Sequence, residues 1–426
     1  MLLSGFDDLL VILEDPEGMA AEAAVFPVEE DGDALELLLG DGLLAGFSAQ
    51  AADWPMFRGN PQRTGFSPEQ AYPPLTKVWE YQTGAEIVSS PAVLEDAVYF
   101  GSRDGGIYAL NARTGALIWR YAADGWVDAS PAVSGDSVFC PSMDGYLYRL
   151  DRATGALIWK AQLGASSVSS PLVYEGKVAV GTGSPENKLK VLEVSSGRTL
   201  SERQAAQPVD SAPSLEGDIV YFGANDGTVY AFNKDTFSPA WAEYQTMGGR
   251  YGMNAVAVSS GIVYALPGYD ENKPLALSAT GGLLLNPQSA AFEESDSWEL
   301  LGSPAVSGDR VYFPGGASVN TLYAMDKVPA GQALPYVWPS SPALGGVSGI
   351  GVLSSPAMVN DLIYVGSLDG YLAAFSSGAA AVPLTADVSF STAVYSSPAV
   401  SNGMVFVGTA GGKLAAYSAA RTAAIS

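Results

Sequence analysis

Residue types that commonly do chemistry in proteins are scarce in this chain of 426 residues. Histidine is absent, which excludes Ser-His-Asp and Cys-His catalysis, histidine-ligated zinc and haem with a histidine ligand. Cys140 is the single cysteine, so an intramolecular disulfide and a CxxC redox pair are excluded as well. Residues 101–106 are rich in glycine, but no Gly-Lys-Ser/Thr follows them, and they are predicted to form a hairpin turn rather than a phosphate loop. The acidic pair Glu293-Glu294 is interpreted as solvated surface, and we predict no catalytic residue.

The formal charge of −24 is distributed unevenly along the chain. Residues 1–53 contain 13 acidic side chains and no Lys or Arg, which leaves 32 acids and 21 bases in the remainder. Neither part has the basic stripe that binds a phosphate backbone, and an acidic surface also repels anionic lipid. We therefore expect no nucleic acid partner.

Residues 1–52 are predicted to be an acidic N-terminal extension or a degenerate export signal. Residues 37–47, followed by Ala49-Gln50-Ala51, are similar to the apolar region and A-x-A cleavage site of a secretory signal, which would place the protein in the periplasm or outside the cell. Asp41 interrupts the apolar stretch and no positive charge precedes it, so a disordered or partly helical acidic extension stays open as the alternative. No run approaches the ~20 apolar residues of a membrane span, and no transmembrane segment is predicted.

A repeat begins near residue 89 and determines the predicted architecture. The motif Ser-Pro-Ala-Val or a variant of it recurs eight times, at the spacing of four-stranded propeller blades. Each unit is predicted to hold four short strands, and recurring Asp-Gly pairs such as Asp104-Gly105 are predicted as type I′ turns between the second and third strands. The eight motifs start at residues 90, 130, 170, 212, 255, 303, 355 and 397.

One tryptophan spacing predicts how the ring closes. Trp119 and Trp159 each precede a motif proline by 12 residues, and so does Trp79, which has no repeat unit before it. The eighth unit has no tryptophan of its own, since that residue would fall at position 426, where the sequence shown ends in Ser426. Residues 75–82 are therefore predicted to supply the fourth strand of the last blade. The fold class predicted for residues 53–426 is an all-β, eight-bladed propeller of four-stranded antiparallel blades without open edges.

The tryptophans that recur on the outer strands are interpreted as structural rings that dock between neighbouring blades, rather than as ligand contacts. These are Trp79, Trp119, Trp159, Trp241 and Trp338.

Two near copies of one signature carry a family resemblance. Residues 109–119 and 149–159 follow the pattern A/R-L-N/D-x-x-T-G-x-x-x-W, which resembles the tryptophan-docking repeat of pyrroloquinoline quinone (PQQ) type β-propellers. The opener at residues 53–65 also resembles the segment that leads into such propellers in exported bacterial proteins. The resemblance covers residues 53–426 and is strongest in units 1, 2 and 4. Residues 195–200 lose the signature, so blade 3 is predicted to lack its docking ring.

The resemblance implies two classes of function, because the superfamily contains both quinoprotein dehydrogenases and non-catalytic scaffolds, including the propeller subunit of the outer-membrane β-barrel assembly machinery. The dehydrogenases are known for adjacent cysteines over the cofactor and for a metal held by Glu, Asn and Asp; a chain with Cys140 alone cannot form that pair. The assembly subunits are typically lipoproteins, and residues 49–52 contain no lipidated cysteine. We expect a non-enzymatic, exported scaffold that binds protein partners without a cofactor or metal. The alternative is a quinone- or metal-dependent oxidoreductase.

The binding face is expected where the connectors between blades and the second-to-third-strand turns meet. The less repetitive connectors at residues 285–301 and 328–352 are the first places to look for specificity, and ordinary strand-capping loops are the alternative interpretation. Candidate residues at the central mouth are Glu86, Trp126, Asp128, Asp210, Arg250, Tyr251, Asn254, Trp298, Glu299 and Tyr395.

Overall fold

The structure is a computed structural model of the chain, and it forms two compact units, residues 1–50 and 51–426. No helix occurs in the part of the chain that it describes. The described residues are 8–14, 21–27, 52–69, 71–242, 244–245, 255–266, 274–285, 302–314, 322–327, 336–339, 354–377 and 383–419.

The first unit contains an antiparallel pair of strands, β1 (Asp8–Glu14) and β2 (Ala21–Pro27). The register runs from Asp8 opposite Pro27 to Glu14 opposite Ala21. These strands contradict the disordered or partly helical extension for the residues they cover. The apolar run at residues 9–13 includes the β-branched pair Val11-Ile12, which favours a strand over a helix. Whether the segment is an export signal stays a prediction.

The second unit is an eight-bladed β-propeller, as the sequence predicted. Two strands precede the blades, β3 (Phe66–Ser67) and β4 (Leu75–Gln82). Blades 1 to 4 each contain four strands. In order they are β5 (Ala92–Leu94), β6 (Ala97–Gly101), β7 (Gly106–Asn111), β8 (Leu117–Ala122), β9 (Ala132–Ser134), β10 (Ser137–Pro141), β11 (Tyr146–Asp151), β12 (Leu157–Gln162), β13 (Leu172–Tyr174), β14 (Lys177–Gly181), β15 (Lys188–Glu193), β16 (Thr199–Gln204), β17 (Ser214–Glu216), β18 (Ile219–Gly223), β19 (Thr228–Asn233) and β20 (Tyr244–Gln245).

Blades 5 to 8 continue the same up-and-down order, with three strands described in blade 5 and with β3 added in parallel to the first strand of blade 7. Their strands are β21 (Ala257–Ser259), β22 (Ile262–Ala265), β23 (Leu275–Ser278), β24 (Ala305–Ser307), β25 (Arg310–Pro314), β26 (Leu322–Asp326), β27 (Tyr336–Pro339), β28 (Ala357–Val359), β29 (Leu362–Gly366), β30 (Tyr371–Ser376), β31 (Pro383–Ser389), β32 (Ala399–Ser401), β33 (Met404–Gly408) and β34 (Lys413–Ala419).

The ring closes as the sequence predicted, because β4 is the fourth strand of blade 8. It pairs antiparallel with β34, and Trp79 lies opposite Ala416. A second contact closes the ring at its centre, where the backbone N–H of Ser397 donates to Oγ of Ser90 at 2.9 Å. The same contact between neighbouring blades recurs from Ser90 to Ser130 at 2.9 Å. The motif serines therefore precede the inner strands in the sequence and also link the inner strands of neighbouring blades by hydrogen bonds.

The core lies between the sheets of neighbouring blades, since the second and third strands are buried on both faces and the outer strand is not. In blade 1, β6 and β7 are almost entirely buried, whereas four of the six residues in β8 are exposed. Burial of an aromatic side chain such as Phe100 contributes about 1.5–3 kcal/mol. The outer strand thus defines the rim, and the turns at either end of the blade define the two faces.

The turn between the second and third strands differs from the prediction. A type I′ turn needs positive φ at both central residues, but Gly105 alone has it in the Asp104-Gly105 pair, with φ of 77°. The N–H of Gly105 donates to the carbonyl of Ser102, so the loop spans four residues. The type I′ prediction was wrong because the Asp104 carboxylate accepts the N–H of Gly106 at 2.8 Å and stabilises a wider loop.

Among the described residues, tryptophan rings lie against glycines of the next blade at four junctions. Trp119 of blade 1 contacts Gly155 of blade 2, which has φ of 71°. A Cβ at this position would lie 2.6 Å from Cδ2 of the indole, so only glycine leaves room for the ring. Its Nε1 donates to the carbonyl of Arg152 at 2.8 Å. Backbone alone is described for Trp338, opposite Ala324. The other three pairs are Trp79 with Gly115, Trp159 with Gly197, and Trp241 with Gly282.

Candidate functional site

Five of the ten candidate mouth residues lie in the described part of the chain. Glu86, Trp126 and Asp128 come together at the entry to blades 1 and 2, whereas Asp210 and Tyr395 lie in the connectors that enter blades 4 and 8. The other five fall outside the described residues, as do most of the two longer connectors. Those five are Arg250, Tyr251, Asn254, Trp298 and Glu299.

The connectors are held in place by the turns of the blades that they enter. The N–H of Arg103 donates to the carbonyl of Glu86 at 2.9 Å, and the N–H of Met143 donates to that of Trp126 at the same distance. Each connector residue therefore lies beside a second-to-third-strand turn. We call the side of the propeller that carries these turns and connectors the connector face, and the opposite side the turn face.

Arg103 joins three of the predicted residues into one cluster. Its Nε lies 3.0 Å from Oδ1 of Asp128 and its Nη2 lies 3.1 Å from Oδ2, while Nη1 donates to Glu86. Its Cζ lies 5.0 Å from the centre of the Trp126 ring. The hydrogen bonds that Arg103 donates to Asp128, opposed by burial, raise the pKa of Arg103 above its ordinary value. The guanidinium is thus a fixed positive charge between two carboxylates and an indole.

Sequence reasoning missed Arg103, because it treated residues 101–106 as a simple hairpin turn. A signal was present in the repeat itself. A single cation occupies the turn, and acidic residues stand in the connectors at both ends of the same blade, at positions 86 and 128. Aligning turn and connector positions across units would have paired them.

A pocket of about 390 Å³ opens beside this cluster, between blades 8 and 1. Its floor is fixed by hydrogen bonds: Oγ1 of Thr83 donates to the carbonyl of Ala85 at 2.7 Å, and the Asp104 carboxylate accepts the N–H of Gly84 at 2.9 Å. Trp126 is 54% exposed on its wall. A rigid pocket with an exposed indole can bind a ligand group with little ordering cost. The lining residues are Gln82, Thr83, Gly84, Ala85, Glu86, Arg103, Trp126, Ala410 and Gly411.

The remaining candidates show a different pattern. Nδ2 of Asn225 donates to Oδ2 of Asp210 at 2.7 Å, and burial raises the pKa of that carboxyl above its ordinary value. Asn225 thus stands at the turn position that Arg103 holds in blade 1, but it brings no charge. Tyr395 is 38% exposed and does not line the pocket.

The axis of the propeller is crossed by a segment that the sequence analysis treated only as an opener. In this axial segment, residues 54–69, backbone carbonyls accept N–H groups from the inner strands of successive blades. Trp54 binds Val93 of blade 1, and Gly65 binds Met358 of blade 7. The intervening bonds join Pro55 to Val133, Pro61 to Leu215, Gln62 to Val258 and Thr64 to Val306.

Blades 3 and 8 are reached by side chains of the same segment. Arg63 donates to the carbonyls of Pro171 and Pro213, at 2.8 and 2.9 Å. Glu69 accepts the N–H of Gly403 at 2.7 Å, in the first turn of blade 8. This contact with a first-to-second-strand turn places Glu69, at the end of the segment, on the turn face. The segment therefore contacts all eight blades.

Two arginines of the axial segment are buried without an acidic partner among the described residues. Arg58 is 1% exposed and donates to the carbonyls of Pro304 and Pro356, and Arg63 is 0% exposed. Burial lowers the pKa of both guanidinium groups to about 9, and for Arg58 the charge of Arg63 adds to the effect. Carbonyl oxygens of the inner strands thus compensate two charges on the axis.

We tested whether these residues fit the cofactor and metal of quinoprotein dehydrogenases. No group of three or more His, Cys, Asp or Glu side chains that could hold a metal ion occurs among the described residues. At the level of the axial segment, Arg58 and Arg63 occupy the axis and their donors face carbonyls. Cys140 is buried in β10, and burial raises the pKa of its thiol. The same part of the chain has no helix long and apolar enough to span a membrane.

Eight antiparallel blades, rings docked on glycines and a last blade closed by an N-terminal strand define a PQQ-type β-propeller. The chain belongs to the PQQ-repeat family whose model is described as "Outer membrane protein assembly factor BamB", which matches residues 73–208 and 144–377. No curated protein matches the chain.

Solved structures with the same fold include proteins of both functional classes. BamB from Moraxella catarrhalis is 19% identical, with a TM-score of 0.63 over 82% of this chain and 98% of that chain. A europium-containing methanol dehydrogenase is 14% identical, with a TM-score of 0.67 over 88% of this chain and 99% of that one. The quinohemoprotein alcohol dehydrogenase from Comamonas testosteroni is 14% identical, with a TM-score of 0.66 over 88% and 82%. At these identities the similarity shows the fold.

Proposed function

We propose that this chain is a non-catalytic scaffold that binds protein partners through its connector face, and that it acts outside the cytoplasm. The observation that carries the proposal is the pocket beside Trp126, where an indole is exposed and yet held in place by Arg103. Exposed aromatic side chains fixed by their neighbours are typical anchors of protein interfaces. The family description, which names outer membrane assembly, supports both the binding role and the location.

The axial segment supports the choice of face. Its arginine side chains are buried at the axis and its Glu69 contacts a turn of the turn face, whereas the pocket beside Trp126 opens on the connector face. Rigid presentation is the proposed mechanism: hydrogen bonds fix the connectors in the free protein, and binding then orders few further groups.

The test compares two truncations of exposed apolar side chains. Trp126→Ala removes the proposed anchor, and Leu283→Ala removes a side chain that is 70% exposed and follows β23 of blade 5, outside the pocket. We expect a protein captured by the native chain from its own cell envelope to be lost with Trp126→Ala and retained with Leu283→Ala. Equal capture by both variants would contradict the proposal.

The quinoprotein alternative is tested by titrating the purified chain with PQQ and calcium and following absorbance. The scaffold proposal expects no saturable binding. Tight binding with a stoichiometry near one would overturn it in favour of an oxidoreductase.

A further inference from the structure

We propose that the pocket receives a positively charged side chain of the partner, an arginine or a lysine, which contacts Trp126 and forms an ion pair with Glu86. The inference rests on the proposed function and names the chemistry that the connector face recognises.

The charges of the cluster favour a cation. Arg103 is the single cation among the lining residues, and it faces the carboxylates of both Glu86 and Asp128, which leaves one negative charge in excess. Asp128 uses both oxygens on Arg103 and its side chain is 7% exposed. Glu86 contacts Arg103 through Oε2 alone and its side chain is 43% exposed, so its carboxylate is the accessible one. A second cation could therefore form an ion pair with Glu86, because Arg103 compensates the charge of this carboxylate only in part.

The indole provides the second contact. Arg103 already lies over the Trp126 ring, which shows that this ring accepts a guanidinium in its present orientation. More than half of the side chain is still exposed to the pocket and to solvent. An aromatic ring beside a carboxylate is a common environment for arginine and lysine side chains, because the ring quadrupole and the anion attract the same charge.

The rest of the pocket does not oppose this charge. The other lining side chains are neutral and mostly small. The excess of acids over bases in residues 54–426 also attracts cationic partners over longer distances. An anionic ligand would have to compete with Glu86 and Asp128 for Arg103.

The experiment uses the full chain and a matched pair of probes, N-acetyl-arginine amide and N-acetyl-citrulline amide, which have nearly the same shape but differ in charge. The indole N–H signal of Trp126 is followed by NMR and assigned with Trp126→Phe. We expect the arginine probe to shift this signal at concentrations about fivefold lower than the citrulline probe. Glu86→Gln is expected to remove most of that difference, whereas Glu95→Gln, which neutralises an exposed carboxylate outside the pocket, retains it.

Three outcomes would overturn the inference: equal response to both probes, a preference of Glu86→Gln for arginine as strong as that of the native chain, or a response to N-acetyl-glutamate amide in place of arginine. Thermal melts of both variants confirm that they are folded. If Trp126→Ala still abolishes partner capture while the arginine probe shows no preference, the cation inference fails and the scaffold proposal stands.

Discussion

The junctions between blades 1 and 2 and between blades 3 and 4 fill the same position in different ways. At the first, Trp119 comes from the outer strand and Gly155 leaves room for its ring. At the second, Ser201 stands opposite Val191 where the tryptophan would be, and Phe237 stands where the glycine would be. Phe237 packs against the cluster between these blades, with its ring 6.5 Å from that of Phe232.

Both junctions thus contain an aromatic ring, which comes from the outer strand of the first blade in one case and from the following blade in the other. Phe237 has φ of 57°, in the left-handed region that bulky residues avoid. Backbone strain at that position costs about 1–2 kcal/mol, which the packing of the ring offsets. The tryptophan and glycine pair avoids the strain, since Gly155 adopts its φ of 71° freely.

Trp119→Ala should have the largest effect. It removes a ring that is 7% exposed and leaves the carbonyl of Arg152 without its donor. We expect a loss of about 3–5 kcal/mol in the free energy of unfolding, measured by chemical denaturation. Ser201→Ala, at the equivalent position of blade 3, should change it by less than about 0.5 kcal/mol. Similar losses for both variants would show that the ring is not what distinguishes the junctions.

Gly155→Ala should have the next largest effect, because the new Cβ would lie 2.6 Å from the indole in addition to straining the backbone. Gly135→Ala is the matched control: its φ is 54° and nothing lies within 4 Å of the new Cβ. We expect Gly155→Ala to cost about 1–3 kcal/mol more than the control in the same assay. In a Trp119→Ala background the excess should disappear, and its persistence would refute the steric explanation.

The smallest effect is expected from converting one junction into the other. Ser201→Trp alone should destabilise, because Phe237 takes the place that the indole needs, and Phe237→Gly alone loses packing. Together they should recreate a docked ring, with a favourable coupling of about 1 kcal/mol or more in a double-mutant cycle. Additive effects would mean that the ring does not reach residue 237 in this blade.

The fold could be predicted because the same motif occurs eight times at a nearly regular spacing. Eight motifs at blade spacing, and Trp79 standing 12 residues before Pro91, were enough to predict both the blade number and the closing strand. The width of the Asp-Gly turns could not be predicted in the same way, since it depends on which N–H groups the Asp104 side chain accepts. That choice depends on the position of Gly84, which belongs to another part of the ring.

The candidate site was predicted in part for a similar reason. Repeat alignment placed Glu86 and Trp126 on one face, but the residue that joins them, Arg103, occurs in a turn with a common sequence. The role of Arg58 and Arg63 was missed entirely. Their partners are backbone carbonyls, which every residue has, so no sequence pattern marks them.

The contacts of the axial segment limit when this segment can dock during synthesis and folding. A ribosome releases Arg58 early, yet its acceptors are Pro304 and Pro356, which follow 246 and 298 residues later. The docking of this segment can therefore be completed only after the inner strands of blades 6 and 7 have been synthesised, although its bonds to blades 1 and 2 need no later residue. A chain truncated before residue 356 would lack one of these acceptors, and the axial segment could not dock fully. Burial of Arg58 is therefore a marker of a completely synthesised propeller.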